Sequence, residues 1–249
     1  MKKKFRGFYL IVSSFVIAIL HLPFAFAKSA TSSKLFFHND DSTSKRIVDS
    51  IHLMPSMKSV YDSLHLGLAG LSQQAFEFAK KGMNILVEEG KLLNDSIISI
   101  IDFSQPSNKK RLFVLDLKNY KVLFNTLVAH GRNTGEEWAT SFSNLNSSHM
   151  SSPGFYVTRE TYEGHNGYSL KLDGVEKGIN DNAYERGIVV HGAPYVCDDI
   201  ANARGFIGRS WGCPAVPVQV SKPIINTIKD GTCLFIYHPS YVSRSEVLR

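Results

Sequence analysis

The stretch Ile97-Ile98-Ser99-Ile100-Ile101-Asp102-Phe103 is short, β-branched and almost wholly apolar. Side chains branched at Cβ are stiff at χ1 and fit a pleated strand better than a helix. Ser104 to Lys110 follows, with Pro106 and Asn108 as turn residues. Arg111-Leu112-Phe113-Val114-Leu115-Asp116-Leu117 then reads as a second strand. Lys118-Asn119 can make a hairpin turn, with Tyr120 to Ala129 as the returning strand. Downstream, strands are expected at Gly154 to Thr161, Ser169 to Leu172, Ile188 to His191 and Thr232 to Tyr237. Long loops dense in Gly, Asn and Ser separate them, and loops of that length in a compact β domain usually carry function. Strands and helices do not alternate, which argues against a doubly wound parallel sheet. The expected fold class is α+β: a mostly antiparallel β-sandwich or barrel preceded by a short helical segment.

Upstream of Ile97 the pattern is helical. Val60, Leu64, Leu68 and Leu71 fall on one stripe. Ser72 is an N-cap for a helix carrying Ala75, Phe76 and Ala79, with Gly82 at its C-terminal end and a second short helix around Met83 to Glu89. Residues 45–95 are therefore read as a helical segment. Residues 28–44 are polar and read as a flexible leader. At the amino terminus, Lys2, Lys3, Lys4 and Arg6 precede an uncharged run of 13 residues, Phe8 to Leu20. Pro23 and Ala25-Phe26-Ala27 follow, which completes the layout of a cleaved secretory signal over residues 1–27. The run is shorter than the ~20 residues that span a bilayer, so no stable membrane anchor is expected after cleavage. Residues 96–240 make the β-rich domain, and 241–249 a tail.

Composition fits this division. The chain has 249 residues, 43% hydrophobic and 20% charged, which excludes a disordered, collagenous or coiled-coil protein. Its formal charge is +6. Cleavage after Ala27 removes four of 28 basic residues, leaving 24 against 22 acidic ones, a net of +2. The positive excess belongs mostly to the export signal, and no basic patch interleaved with aromatics points to nucleic acid. Three cysteines cannot build a disulfide scaffold. Cys197 and Cys233 could pair and leave Cys213 free. In an exported protein, a thiol kept free usually has a task.

Chemistry concentrates in two segments. Ile188-Val189-Val190-His191-Gly192 is an apolar strand ending in a histidine. Gly208-Arg209-Ser210-Trp211-Gly212-Cys213-Pro214-Ala215-Val216-Pro217 places a cysteine behind a glycine. The loop from Ala193 to Ile207 is long enough to bring the two side chains together. An imidazole can take the proton of a thiol whose ordinary pKa is ~8.5 and hold a thiolate–imidazolium pair. The sulfur then attacks a carbonyl to form a thioester, and the imidazolium protonates the leaving amine. The oxyanion formed on attack needs backbone N–H donors, for which Gly212 and Cys213 are placed. No acidic residue flanks His191, so a backbone carbonyl, that of Gly192, is a candidate to orient it. The same residues also suit a structural histidine with an inert buried cysteine. A zinc site drawn from Cys197, Cys213, Cys233, His191 and His238 is a third reading, although no paired ligand spacing supports it.

At these residues the sequence resembles the L,D-transpeptidase (YkuD-like) superfamily, and within it the murein L,D-transpeptidase catalytic domain branch. The superfamily signature is a histidine followed, after a loop, by Ser/Thr-His-Gly-Cys. Here the run is Ser210-Trp211-Gly212-Cys213, with His191-Gly192 upstream. Ile100 to Ser107, Val128 to Gly135, Ala139 to Asn144, Gly154 to Thr158, Tyr168 to Gly174, Asn180 to Ala183 and Leu234 to Tyr237 resemble further motifs of the branch, in order. Trp211 stands where the superfamily motif has histidine, and Ala215 where it often has asparagine; the branch shares the tryptophan. The resemblance covers roughly residues 97–239. It implies a catalytic domain over 96–240 that works in the periplasm or at the cell surface, without a cofactor or bound metal.

The implied reaction is acyl transfer on peptidoglycan tetrapeptide stems. Cys213 would attack the carbonyl before the terminal D-alanine, and a side-chain amine of another stem would take the acyl group in a 3→3 cross-link. Water as acceptor would make the enzyme an L,D-carboxypeptidase, and a lipoprotein amine would anchor that protein. The expected catalytic set is Cys213, His191, Gly212 and Gly192. Ser210, Arg209, Trp211 and His130 are the candidate substrate-binding residues: Arg209 for a stem carboxylate, Trp211 as a pocket wall, His130 as a second polar element of the cleft. Two other cell-wall cysteine enzymes fit less well. A papain-like hydrolase puts its cysteine before its histidine, and a sortase needs an arginine on a strand after the cysteine. A non-catalytic wall-binding module with the same fold is the remaining alternative.

Overall fold

The computed structural model describes residues 59–249. The stretches expected to form a signal peptide, a leader and the start of a helical segment lie outside the described residues. The elements in chain order are α1 (Val60–Ser63), α2 (Gln73–Glu88), β1 (Ile97–Asp102), β2 (Leu112–Asp116), β3 (Lys121–Thr126), β4 (Gly154–Gly164), β5 (Gly167–Gly174), β6 (Val189–Gly192), α3 (Asp198–Arg204), β7 (Ala215–Val216), α4 (Val218–Ile228), β8 (Cys233–Tyr237) and α5 (Pro239–Val242). Among the described residues no helix is long and apolar enough to cross a membrane.

All eight strands join one sheet in the order β3-β2-β1-β8-β4-β5-β6-β7. Pairing is antiparallel except between β1 and β8 and between β6 and β7. Ala129, just past edge strand β3, forms a bridge with Ala215 of the other edge strand β7. The two edges thereby approach each other and the sheet is nearly a closed barrel. The architecture is the expected α+β class.

Every residue of β1 is buried, which explains its unbroken apolar run. Ile97 and Ile101 face a cluster with Leu112, Val114, Leu170, Leu234 and Ile236, capped by Ile224, Ile225 and Ile228 of α4. Ile98 and Ile100 face the other side, where Phe113, Phe155 and Phe235 pack under Ala75, Phe76, Ala79, Met83 and Leu86 of α2. A period of two thus feeds two cores from one strand.

The helical segment departs from its expected form. Ser72 does cap α2, its Oγ accepting from the Ala75 N–H at 3.1 Å. Gly82, however, does not end the helix, and no second helix begins at Met83. A Cβ at Gly82 would lie 2.0 Å from the Phe155 ring, so this glycine marks a close approach of helix to sheet. The Val60 stripe fails as well. Only Val60–Ser63 is α-helical, His65 and Gly70 take positive φ, and Leu68 is exposed. The C-terminal stretch 241–249, read as a tail, is packed: Tyr241, Ser245 and Leu248 are buried.

Candidate active site

Strand β6 ends in His191-Gly192, and β7 runs parallel to it, with His191 opposite Ala215 and Gly192 opposite Val216. Cys213 stands two residues before Ala215, the spacing on which an extended chain returns to one face. The register therefore lays the segment that carries Cys213 alongside β6, with Cys213 two residues short of the level of His191. Among the described residues, no three His, Cys, Asp or Glu side chains converge as metal ligands would.

His191 is buried, with Nδ1 3.0 Å from the Gly192 carbonyl oxygen. A carbonyl can only accept, so Nδ1 carries the proton and Nε2 is left as the basic nitrogen. Burial holds the imidazole below its ordinary pKa, and the Gly192 carbonyl opposes that shift. Cys213 is half-buried and unbridged, as Cys197 and Cys233 are also free. Its Sγ lies 3.7 Å from the Gly187 carbonyl oxygen. Burial pushes the thiol up, against the Val189 N–H and the charge of Arg186. Burial thus favours the neutral form of each group, thiol and imidazole. Proton transfer then belongs to the attack itself.

The nucleophile segment is a braced turn. Gly212 has φ +121°, and a Cβ there would lie 2.7 Å from the Met150 carbonyl oxygen. Its N–H donates to Ser210 Oγ at 3.1 Å, and Ser210 Oγ donates to the Cys213 carbonyl at 2.6 Å. Ser210 is buried, and its hydroxyl holds the turn from within. The Gly212 N–H, expected as an oxyanion donor, is already used. The Cys213 N–H has no hydrogen-bond partner among the described residues. Gly192 packs tightly on α4, where a Cβ would meet Ser221 Oγ at 2.7 Å.

Two candidate binding residues are placed differently from expectation. His130 is fully buried. Its Nδ1 is 2.8 Å from Arg111 Nη2 and its Nε2 is 3.3 Å from the Gly135 carbonyl, so neither nitrogen is open to a ligand. Burial, then the Arg111 charge, pushes it down to about 3. Arg209 turns onto the neighbouring loop, donating to the carbonyls of Arg132 (3.3 Å) and Gly135 (3.1 Å) beside Glu136. It clasps that loop and pairs with the Glu136 carboxylate at 3.9 Å, so its expected role toward a stem carboxylate is taken by the protein itself. Trp211 is exposed, and its ring stacks on His149 with centroids 5.0 Å apart and planes at 16°.

Two openings adjoin these segments; His191 lines the first and Cys213 lines neither. One, of about 390 Å3, is lined by Tyr168, His191, Pro194, Tyr195 and Ser221 among others. The other, of about 280 Å3, is lined by Ser147, His149, Arg186, Ile188 and Trp211. A larger cleft of about 680 Å3, around Leu93, Arg159 and Asp230, contains none of the site residues.

Sequence reasoning missed Ser151 and Arg186. Ser151 is buried, accepts from the Gly131 N–H at 3.0 Å and donates to the Gly212 carbonyl at 3.0 Å. Arg186 donates to four oxygens of the segment 143–152 and lies beside the Gly212 turn. Ser151 gives no signal within a serine-rich loop. Arg186 could have been found only by its place just ahead of the strand that ends in His191.

Comparison with known proteins yields a family match over residues 68–237, described as an L,D-transpeptidase catalytic domain. No curated protein matches. Among solved structures, the helical cell shape determining protein Pgp2 from Campylobacter jejuni is similar, with 13% identity and a TM-score of 0.41 over 64% of this chain and 56% of that one. An L,D-transpeptidase from Mycobacterium smegmatis is similar with 10% identity and a TM-score of 0.38, over 57% and 59%. L,D-transpeptidase 3 from Mycobacterium tuberculosis gives 12% identity and 0.35, over 57% and 61%. The chain thus spans about three fifths of the length of these structures.

Proposed function

Because the chain belongs to the L,D-transpeptidase catalytic domain family, we propose that it performs cysteine-dependent acyl transfer on peptidoglycan stem peptides, outside the cytoplasm, after removal of residues 1–27. The observation that carries this reading is the β6–β7 register, which aligns His191 with the segment bearing an unbridged, half-buried Cys213.

The reaction follows from the groups present. Cys213 Sγ attacks the carbonyl between the third stem residue, a diamino acid, and the terminal D-alanine. His191 Nε2 takes the thiol proton as the S–C bond forms, since burial favours the neutral form of both groups. The Cys213 N–H receives the oxyanion, in place of the occupied Gly212 N–H. Collapse breaks the C–N bond, and the imidazolium gives its proton to the departing D-alanine amine. The side-chain amine of a second stem then attacks the thioester. Its proton passes through His191 back to sulfur, which leaves as the free thiol. The product is a 3→3 cross-link. With water as acceptor the same steps trim the stem.

Intact mass spectrometry of the mature protein with a carbapenem tests the assignment. A single covalent adduct on wild type, absent in Cys213→Ala, is expected, together with D-alanine release from tetrapeptide muropeptides. No adduct and no release on wild type would overturn it. Muropeptide binding retained by both proteins, with no chemistry, would mark a wall-binding module instead.

A further inference from the structure

The N–H that must meet the oxyanion belongs to a peptide unit whose other end is held by a buried hydroxyl. Ser151 Oγ donates to the Gly212 carbonyl at 3.0 Å. A trans peptide is planar, with its C=O and N–H pointing in opposite directions. Fixing the Gly212 carbonyl on Ser151 therefore fixes where the Cys213 N–H points. The Gly212 φ of +121° gives this unit a glycine's conformational freedom, so something other than steric restriction must select one orientation.

Ser151 is itself held from three sides. Its Oγ accepts from the Gly131 N–H at 3.0 Å, which commits the hydroxyl proton to Gly212. Its own N–H donates to Thr134 Oγ1 at 2.8 Å. On either side in sequence, Arg186 grips its neighbours: Nη2 donates to the Met150 carbonyl at 2.6 Å and Nη1 to Ser152 Oγ at 2.7 Å. The same guanidinium reaches the Ser143 carbonyl at 2.9 Å and Ser148 Oγ at 3.3 Å. All four terminal N–H groups of the guanidinium are spent on one loop, a planar multi-point grip that lysine cannot reproduce. Ser147 and His149 in that loop take positive φ, a conformation unfavourable for non-glycine residues without such support.

We propose that Ser151 and Arg186 are positioning residues that aim the Cys213 N–H at the developing oxyanion. Arg186 orders the 143–152 segment, Ser151 transmits that order to the Gly212–Cys213 peptide, and neither needs to touch substrate. The proposal rests on the acyl-transfer reading above.

Two reactions of the same sulfur separate positioning from general damage. Carbapenem acylation passes through a tetrahedral oxyanion; alkylation by iodoacetamide displaces iodide at a saturated carbon and forms none. In Ser151→Ala and Arg186→Lys, the rate of carbapenem acylation should fall at least tenfold, in the range of losing an aligned oxyanion donor. The plateau rate of iodoacetamide alkylation at high pH should stay within about twofold in both variants, since the sulfur is unchanged; its pH profile should hold in Ser151→Ala and shift only in midpoint in Arg186→Lys, which moves a charge near the sulfur. Parallel loss of both rates, or loss of neither, overturns the proposal. Retention of full acylation in Arg186→Lys alone would remove Arg186 from it, because charge without the fork would then suffice. If wild type itself takes up no carbapenem while alkylating normally, the acyl-transfer reading fails and this inference falls with it.

Discussion

A histidine with both ring nitrogens engaged cannot take a proton without breaking a contact, and His130 is in that position between Arg111 and Gly135. It stays neutral down to about 3 in the folded protein, whereas an unfolded chain protonates it near 6.5. Between those values the unfolded state binds more protons, so stability falls as pH drops below about 6.5 and levels off near 3. From pH 7 to pH 5 this one residue should cost about 2 kcal/mol. His191 and His238 are shifted in the same direction and add to the loss. Urea unfolding of wild type and His130→Gln at the two pH values isolates the His130 share: the variant should lose correspondingly less. The residue scale is also where sequence was least informative. His191 and Cys213 stand out in the sequence because their types and order suit one chemistry. His130 and Arg209 sit in similar sequence settings, beside glycine or the nucleophile segment, yet point into the scaffold. Side-chain direction depends on partners far along the chain, such as Arg111 for His130, and no local pattern records those.

At the scale of elements, glycine carried the error and now carries the test. By sequence Gly82 predicts a helix stop; in the fold it lets α2 settle against the Phe155 ring. Gly82→Ala improves intrinsic helix propensity by up to about 1 kcal/mol, yet overpacks the contact at a typical cost of about 1–3 kcal/mol. The net expectation is a lower Tm by thermal unfolding; an unchanged or higher Tm would mean the ring moves aside freely. Strands were read well because β1, β2, β5 and β8 combine β-branched or aromatic residues with clear turn boundaries. Helices α3 and α4 were missed for physical reasons. The N-cap position of α3 is Cys197, without a side-chain capping bond. α4 begins after Pro217, contains Pro223 and is rich in Val and Ile, all of which lower helix propensity. Packing of Ile224, Ile225 and Ile228 into the core supplies what propensity does not.

At the scale of the whole molecule, the last residues close the structure. Glu176 is buried and accepts from the Phe155 N–H at 3.0 Å, from Ser245 Oγ at 2.6 Å and from the Tyr241 hydroxyl. Lys81 of α2 reaches the Leu248 carbonyl. Removing one donor from a buried carboxylate leaves it under-satisfied, so Tyr241→Phe should lower stability by about 1–3 kcal/mol. Carbapenem acylation below the melting range should be unaltered, because these residues lie apart from His191 and Cys213 in the sheet. Unfolding curves and acylation rates on the same preparation check both halves of the expectation. Beyond this polar lock lies a matter of chain order. β8 is the last strand made, yet it sits between β1 and β4, and apart from the short bridges past β3 it is what joins strands β1–β3 to strands β4–β7. During synthesis or threading from the amino end, the molecule must wait as two half-sheets with open edges until residue 233 and its successors arrive. A chain halted before that point would present two sticky borders instead of a smaller folded domain.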